Sequence, residues 1–201
     1  MYLAYIKKKI RVFFSFMNNP ILFLVFLKQG VKKIIIGKRT QINSFKYFNI
    51  SNNLSIGNDC RFTFIEEFGG CHYNPLLIIK ENVSMCNRCS ILCADTVQIG
   101  KDTLIASDVL ITSENHGVDL SLKASYRDQP LIVKGVQIGD NCWIGEKVTI
   151  LPGVSLGDNT IVGAHSVVTK SFPKNSMIAG IPAVMIKRYD ERREEWIKIK
   201  R

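Results

Sequence analysis

From Ile138 the chain repeats every six residues: Ile138-Gly-Asp-Asn-Cys-Trp, Ile144-Gly-Glu-Lys-Val-Thr, Ile150-Leu-Pro-Gly-Val-Ser, Leu156-Gly-Asp-Asn-Thr-Ile and Val162-Gly-Ala-His-Ser-Val, then Val168. The first position is always aliphatic, the second is usually Gly, and the fifth is small: Cys142, Val148, Val154, Thr160, Ser166. The same frame fits upstream at Ile56, Ile79 and Met85, and after a slip of two residues at Ile99, Ile105 and Ile111. A period of six matches neither the 3.6-residue turn of a helix nor strict strand alternation. It predicts a short flat strand with one inward aliphatic, a tight turn where Gly or Asn takes positive φ, and a small residue turned inward at the corner. Three such sides close a triangle of about 18 residues, and successive coils stack at about 4.8 Å, the spacing of hydrogen-bonded strands. The fold class is therefore an all-β solenoid, a parallel β-helix.

Interruptions of a regular coil mark its working face, because a projecting loop varies without disturbing the core. Two stand out: residues 66–77, with Gly69-Gly-Cys-His-Tyr-Asn-Pro75, and a loop spanning 112–137. The repeat divides the chain into an N-terminal appendage (1–50), the coiled domain (51–188) and a charged end (189–201) whose apolar edge of Trp196, Ile197 and Ile199 predicts a closing helix or a tail.

The length of 201 residues allows one domain with a short appendage. The net charge of +10 is concentrated in the appendage, which carries ten basic residues and no acidic one, so residues 51–201 hold 17 of each sign. A neutral body lacks the basic stripe that nucleic acid demands, and no nucleic-acid partner is expected. The appendage also holds Phe13, Phe14, Phe16 and the run from Ile21 to Leu27, broken from the preceding residues by Asn18, Asn19 and Pro20. It is too interrupted to span a bilayer. It is expected to form one or two helices that lie on an anionic cytoplasmic membrane surface, or that pack on the body or a neighbouring subunit.

Of six cysteines, Cys60, Cys89 and Cys142 stand at fifth positions and are expected to be packing residues. The run Cys86-x2-Cys89-x3-Cys93 resembles a metal site in spacing, but the corner turns these side chains apart, and no metal is expected. Six thiols and no secretion signal suit a reducing cytosol.

From about Leu54 to Arg188 the chain resembles the hexapeptide-repeat acyltransferases, and in particular bacterial sugar and polysaccharide O-acetyltransferases. The resemblance rests on the hexads, on Ser113-Glu-Asn-His-Gly117, on Cys142-Trp-Ile-Gly145, and on Gly163-Ala-His-Ser-Val-Val-Thr-Lys170 with Ala179-Gly-Ile-Pro-Ala183. It implies a left-handed coil, acetyl-CoA as co-substrate, and a homotrimer with sites between subunits. It implies that His116, at the mouth of the second loop, is the catalytic base, since imidazole titrates near neutrality and a sugar hydroxyl needs its proton removed as it attacks. Neither His72 nor His165 is expected in that role. Direct transfer is expected, with Cys93 an inert thiol.

Carried over by position, the acetyl-CoA contacts would be Glu146, Ala164, Thr169, Lys170, Lys187 and Arg188, with Lys187 standing where the galactoside-type enzymes have Arg. Asn115 would meet the acceptor, and Trp143 the acceptor, pantetheine or a neighbouring subunit. Asn87 is an imperfect counterpart of a sugar-binding Asn, and the acid those enzymes carry near the N-terminus is missing. The resulting expectation is O-acetylation of a cell-surface saccharide of capsule or lipopolysaccharide type. The alternatives are acetylation of an antibiotic and a non-catalytic scaffold.

Overall fold

The computed structural model describes residues 30, 31 and 33–199. The expected surface helices up to residue 29 lie outside the described residues.

Strands succeed one another in a fixed rotation. Ile34–Ile36 enters a first sheet, Gln41–Ile42 a second and Phe48–Ile50 a third; Leu54–Ile56 then returns to the first, Arg61–Phe64 to the second and Leu76–Ile79 to the third. The pairing is parallel and keeps hexad phase, so that in the second sheet Phe62, Ile91, Ile111, Ile150 and Val168 form one column. The inward aliphatics Ile138, Ile144, Ile150, Leu156, Val162 and Val168 are all buried, as are the fifth-position residues Cys142, Val148, Val154, Thr160 and Ser166. The architecture is all-β, built from parallel sheets around one apolar core.

The fifth position does more than fill a corner. Cys89 Sγ donates to the carbonyl of Ala106 at 3.1 Å, Cys142 Sγ to that of Gly157 at 3.4 Å and Thr103 Oγ1 to that of Gly139 at 3.1 Å, in each case the second residue of the hexad stacked next. A small donor here ties one coil to its neighbour. The fourth position takes the left-handed turn, with φ from 53° to 61° at Asp59, Asn82, Arg88, Asp102, Asp108, Asn141, Lys147, Asn159 and His165. That conformation costs a residue with a Cβ about 1–2 kcal/mol. Side-chain bonds between coils offset it, such as the two 2.7 Å contacts from Arg88 to Asp108.

The second-position glycines serve a different need from the one expected. Gly100 is not at positive φ; a Cβ there would run into the backbone of Gly139 and Asp140 on the next coil. Glycine is required for close stacking of the corners.

Two expectations about the ends are corrected. The coil begins before residue 51: Ile34–Ile36 pairs with Leu54–Ile56, and Ile36-Gly-Lys-Arg-Thr-Gln is itself a hexad, with Arg39 at φ 56° gripped by Asp59. The C-terminal end is not a helix. Ser176–Gly180, Ala183–Asp190 and Glu195–Lys198 form an antiparallel extension of the first sheet, because backbone pairing with a neighbouring strand outweighs the helix-forming charged residues of that segment. Among the described residues no helix is long and apolar enough to cross a membrane.

Candidate active site

Both insertions leave the coil at the same corner, between the second and third sheets. The first departs after Arg61–Phe64 and rejoins at Leu76–Ile79; the second departs after Leu110–Thr112 and rejoins at Val136–Ile138.

Ser113 secures the root of the second. Fully buried, its Oγ accepts the N–H groups of Ala94 and Asp95, each at 3.0 Å, which closes the tight turn of the coil below. Glu114–Asn115 then pairs antiparallel with Ile132–Val133, so the departing and returning arms run as a short ladder. Further out, buried Gln129 accepts the Asp119 N–H at 2.9 Å and donates to the carbonyls of Asp119 and Ala124. Apart from Leu131 the excursion buries no large apolar side chain among the described residues, and this amide network holds it together. The tip carries exposed Val118, Leu120, Leu122 and Tyr126.

His116 follows the departing strand directly and is exposed. Its ring meets that of Phe68 edge-on, with centroids 5.2 Å apart and planes at 67°. Phe68 belongs to the first insertion, a hairpin in which Glu67–Phe68 pairs with Cys71–His72 across Gly69 and Gly70, both at positive φ. Glycines at both turn positions match the backbone twist of a two-residue hairpin loop. His72 lies on the second strand of that hairpin, and His165 occupies a turn between the first and second sheets.

The other expected site residues do not gather around His116 within one chain. Glu146, Ala164 and Asn87 stand at the corner between the first and second sheets, on the opposite edge of the second sheet from His116. The Oδ1 of Asn87 accepts the Asn58 N–H at 2.8 Å, so the amide is already engaged in corner bonding. Thr169 and Lys170 lie at the His116 corner but on a later coil, with the Lys170 ammonium over the Phe172 ring. Lys187 and Arg188 are consecutive on Ala183–Asp190, and consecutive strand residues project to opposite faces. Arg188 lines a cavity of about 580 Å³ with Lys174 and Tyr189, at the C-terminal end and away from His116. Trp143 is 53% exposed on the outer face of the first sheet, in register with exposed Leu104 and half-buried Ile161. Asn115, exposed on the stub beside His116, is the one expected acceptor contact next to the imidazole.

Two of the buried thiols, Cys93 and Cys142, are poorly placed to act as nucleophiles. Cys93 is fully buried, donates to the Asp95 carbonyl at 2.9 Å, and is pushed up to about 11 by burial. Burial likewise raises Cys142 to about 11. A thiol must ionise to attack, so neither is poised near neutral pH.

Sequence reasoning gives no role to Phe68 or Gln129, and includes Tyr73 and Ser113 only as members of longer runs. The Gly69-Gly70 pair was a legible hairpin signal, but nothing local told that the hairpin would meet His116.

Residues 135–170 match the family described as bacterial transferase hexapeptide, with six repeats. An Escherichia coli K12 protein named for O-acetyl transfer in lipopolysaccharide biosynthesis, WbbJ, is 38% identical over 156 residues, 75% of this chain and 76% of that one. Among solved structures, a galactoside acetyltransferase in complex with coenzyme A has a TM-score of 0.57 at 28% identity, covering 77% of this chain and 74% of the other. The polysialic acid O-acetyltransferase OatWY has a TM-score of 0.54 at 27% identity, with the same coverage of 77% and 74%. With its hexads seated in parallel coils and a relative matched over 76% of that relative's length, the chain belongs to the bacterial hexapeptide-repeat transferases and is an acetyltransferase of that family.

Proposed function

We propose that the protein transfers the acetyl group of acetyl-CoA to a hydroxyl of a cell-surface saccharide, of lipopolysaccharide or capsule type, with His116 as general base. The observation that carries this reading is the placement of His116: an exposed imidazole on a backbone fixed by the Glu114–Asn115 ladder, at the root of the largest excursion from the coil. The similarity to a relative named for lipopolysaccharide O-acetyl transfer supports the acceptor class. We take the coil to be left-handed, as the resemblance implies.

In the proposed reaction the acceptor oxygen bonds to the thioester carbonyl carbon while an imidazole nitrogen of His116 takes the hydroxyl proton. The carbon–sulfur bond then breaks, and the imidazolium returns the proton to the departing thiolate. No acyl-enzyme is required, in keeping with the buried, raised thiols of Cys93 and Cys142.

Because Glu146, Ala164 and Asn87 sit across the second sheet from His116, one chain does not assemble the site. We propose a homotrimer in which the His116 excursion of one copy faces that edge of the next, with acetyl-CoA along Glu146, Ala164, Thr169 and Lys170 and its phosphates toward Lys187 and Arg188. Trp143 and Asn115 would line the acceptor side, with Asn87 a lesser contact. The basic, aromatic segment before residue 30 would keep the enzyme at the cytoplasmic face of the membrane, near its acceptor.

The test is release of free thiol from acetyl-CoA in the presence of a panel of nucleotide sugars, oligosaccharides and antibiotics. A saccharide is expected to be acetylated, and His116→Ala to lower turnover about a hundredfold or more while acetyl-CoA still binds. Turnover near the parent rate in that variant would remove His116 from the reaction, and acetylation of antibiotics alone would replace the acceptor class.

A further inference from the structure

We infer that Phe68 is a positioning residue for His116, and that the hairpin of residues 66–73 is part of the catalytic apparatus. The inference rests on the assignment of His116 as the base.

A base that takes a proton during attack must hold its nitrogen within hydrogen-bond reach of the acceptor hydroxyl. The His116 side chain is exposed, and among the described residues no hydrogen bond reaches its ring. The torsion that rotates an imidazole about its bond to Cβ is intrinsically broad. Left to itself, such a ring samples many orientations. The edge-on contact with Phe68, at 5.2 Å and 67°, restricts it. Edge-to-face aromatic contacts are favourable beyond the area they bury, enough to favour one orientation severalfold.

The contact orients only if Phe68 is itself held, and the hairpin is fastened at several points. At its base the Ile65 N–H donates to the Cys93 carbonyl at 2.9 Å and the Tyr73 N–H to the Glu66 carbonyl at 2.8 Å. The Tyr73 hydroxyl accepts the Leu131 N–H at 2.7 Å, which joins the hairpin to the returning arm of the excursion. Its turn residue Gly69 lies so close to the backbone of Gln129 and Pro130 that a Cβ would collide with them. The hairpin thus touches the arm that carries His116 and the arm that leads back from it. Two insertions from different coils form one body, and the imidazole stands where they meet.

Phe68→Ala, Phe68→Tyr, Tyr73→Phe and His116→Ala would be assayed by thiol release with the acceptor found in the panel, together with acetyl-CoA affinity and melting temperature. Phe68→Ala is expected to lose roughly tenfold or more in kcat, because a misplaced reacting group is costly, while the KM for acetyl-CoA stays within about twofold. Phe68→Tyr keeps the ring and is expected to restore kcat. Tyr73→Phe leaves both rings in place and frees the Leu131 N–H, so kcat is expected to fall by a smaller factor; it also serves as the second variant should Phe68→Ala fold poorly. A kcat within about twofold of the parent in both Phe68→Ala and Tyr73→Phe would overturn the inference. So would a drop that Phe68→Tyr shares, or one that appears only in KM or melting temperature. If His116→Ala keeps its turnover, the assignment of the base fails instead, and the result is distinguishable because it does not depend on Phe68.

Discussion

Two corners of the molecule are built from the same repeat and used in opposite ways. Where the third sheet meets the first, the fourth-position side chains stack into ladders: Asn53 donates to Asn82 and Asn82 to Asp102, then Asn141 to Asn159 and Asn159 to Asn175, all at 2.7–2.8 Å. Asn175 hands the ladder on to Glu191. Where the second sheet meets the third, the bonds that close the turns come from side chains acting on backbone, such as Ser113 on Ala94 and Asp95, Ser171 on Ser155, or Asn43 on Phe64. A ladder demands that every coil turn the corner in the same number of residues. A corner closed by backbone contacts lets one coil lengthen without unseating the next. Both insertions, and with them His116, are found at the second kind of corner.

The largest expected effect concerns the thiol at the root of the open corner. With Cys93 raised to about 11 by burial, its thiolate forms only at strongly alkaline pH. Alkylation of Cys93 by iodoacetamide at pH 8 should run at least about a hundredfold slower in the folded protein than in the denatured chain, read by peptide mass mapping. Equal rates would mean that the corner is open to its root. Next, Ser113→Ala strands the buried Ala94 N–H and the half-buried Asp95 N–H and is expected to cost about 1–3 kcal/mol, measured as a lowered denaturant midpoint at constant slope. A neutral result would show that the corner closes without it.

Asn159→Gly keeps the left-handed turn but removes a rung, and should cost about 1 kcal/mol in the same measurement. An unchanged midpoint would reduce the ladder to ornament on a turn that glycine serves as well. The smallest effect is expected at the excursion tip, where Leu122→Ser should change stability by less than about 0.5 kcal/mol, as exposed substitutions do. A larger loss would report that another copy covers the tip.

The coil was legible because a period of six is repeated often enough to fix phase, and because the first and fifth positions meet the same apolar interior on every side. The first coil is hard to read although Ile36-Gly-Lys-Arg-Thr-Gln obeys the frame: Lys38 and Arg39 blend with the basic appendage, and the partner that makes Arg39 tolerable in a left-handed turn, Asp59, comes a coil later. The C-terminal strands were missed for a related reason. A segment rich in Arg and Glu favours a helix locally, and only the exposed edge of the first sheet makes it a strand. His116 was placed by resemblance, whereas its contact with Phe68 depends on two loops meeting in space, which no spacing along the chain records.

The antiparallel reversal at the C-terminal end has a consequence for how the molecule behaves in company. A stack of parallel coils has no natural last member, and its bare end would accept a strand from any other chain. Here the chain turns back at Gly180, and the outermost described strand of the first sheet, Glu195–Lys198, sets an exposed acid and an exposed base on either side of half-buried Trp196 and Ile197. Charges at such an edge make it unattractive to further strands, so the first sheet resists the addition of a strand from another chain on this side.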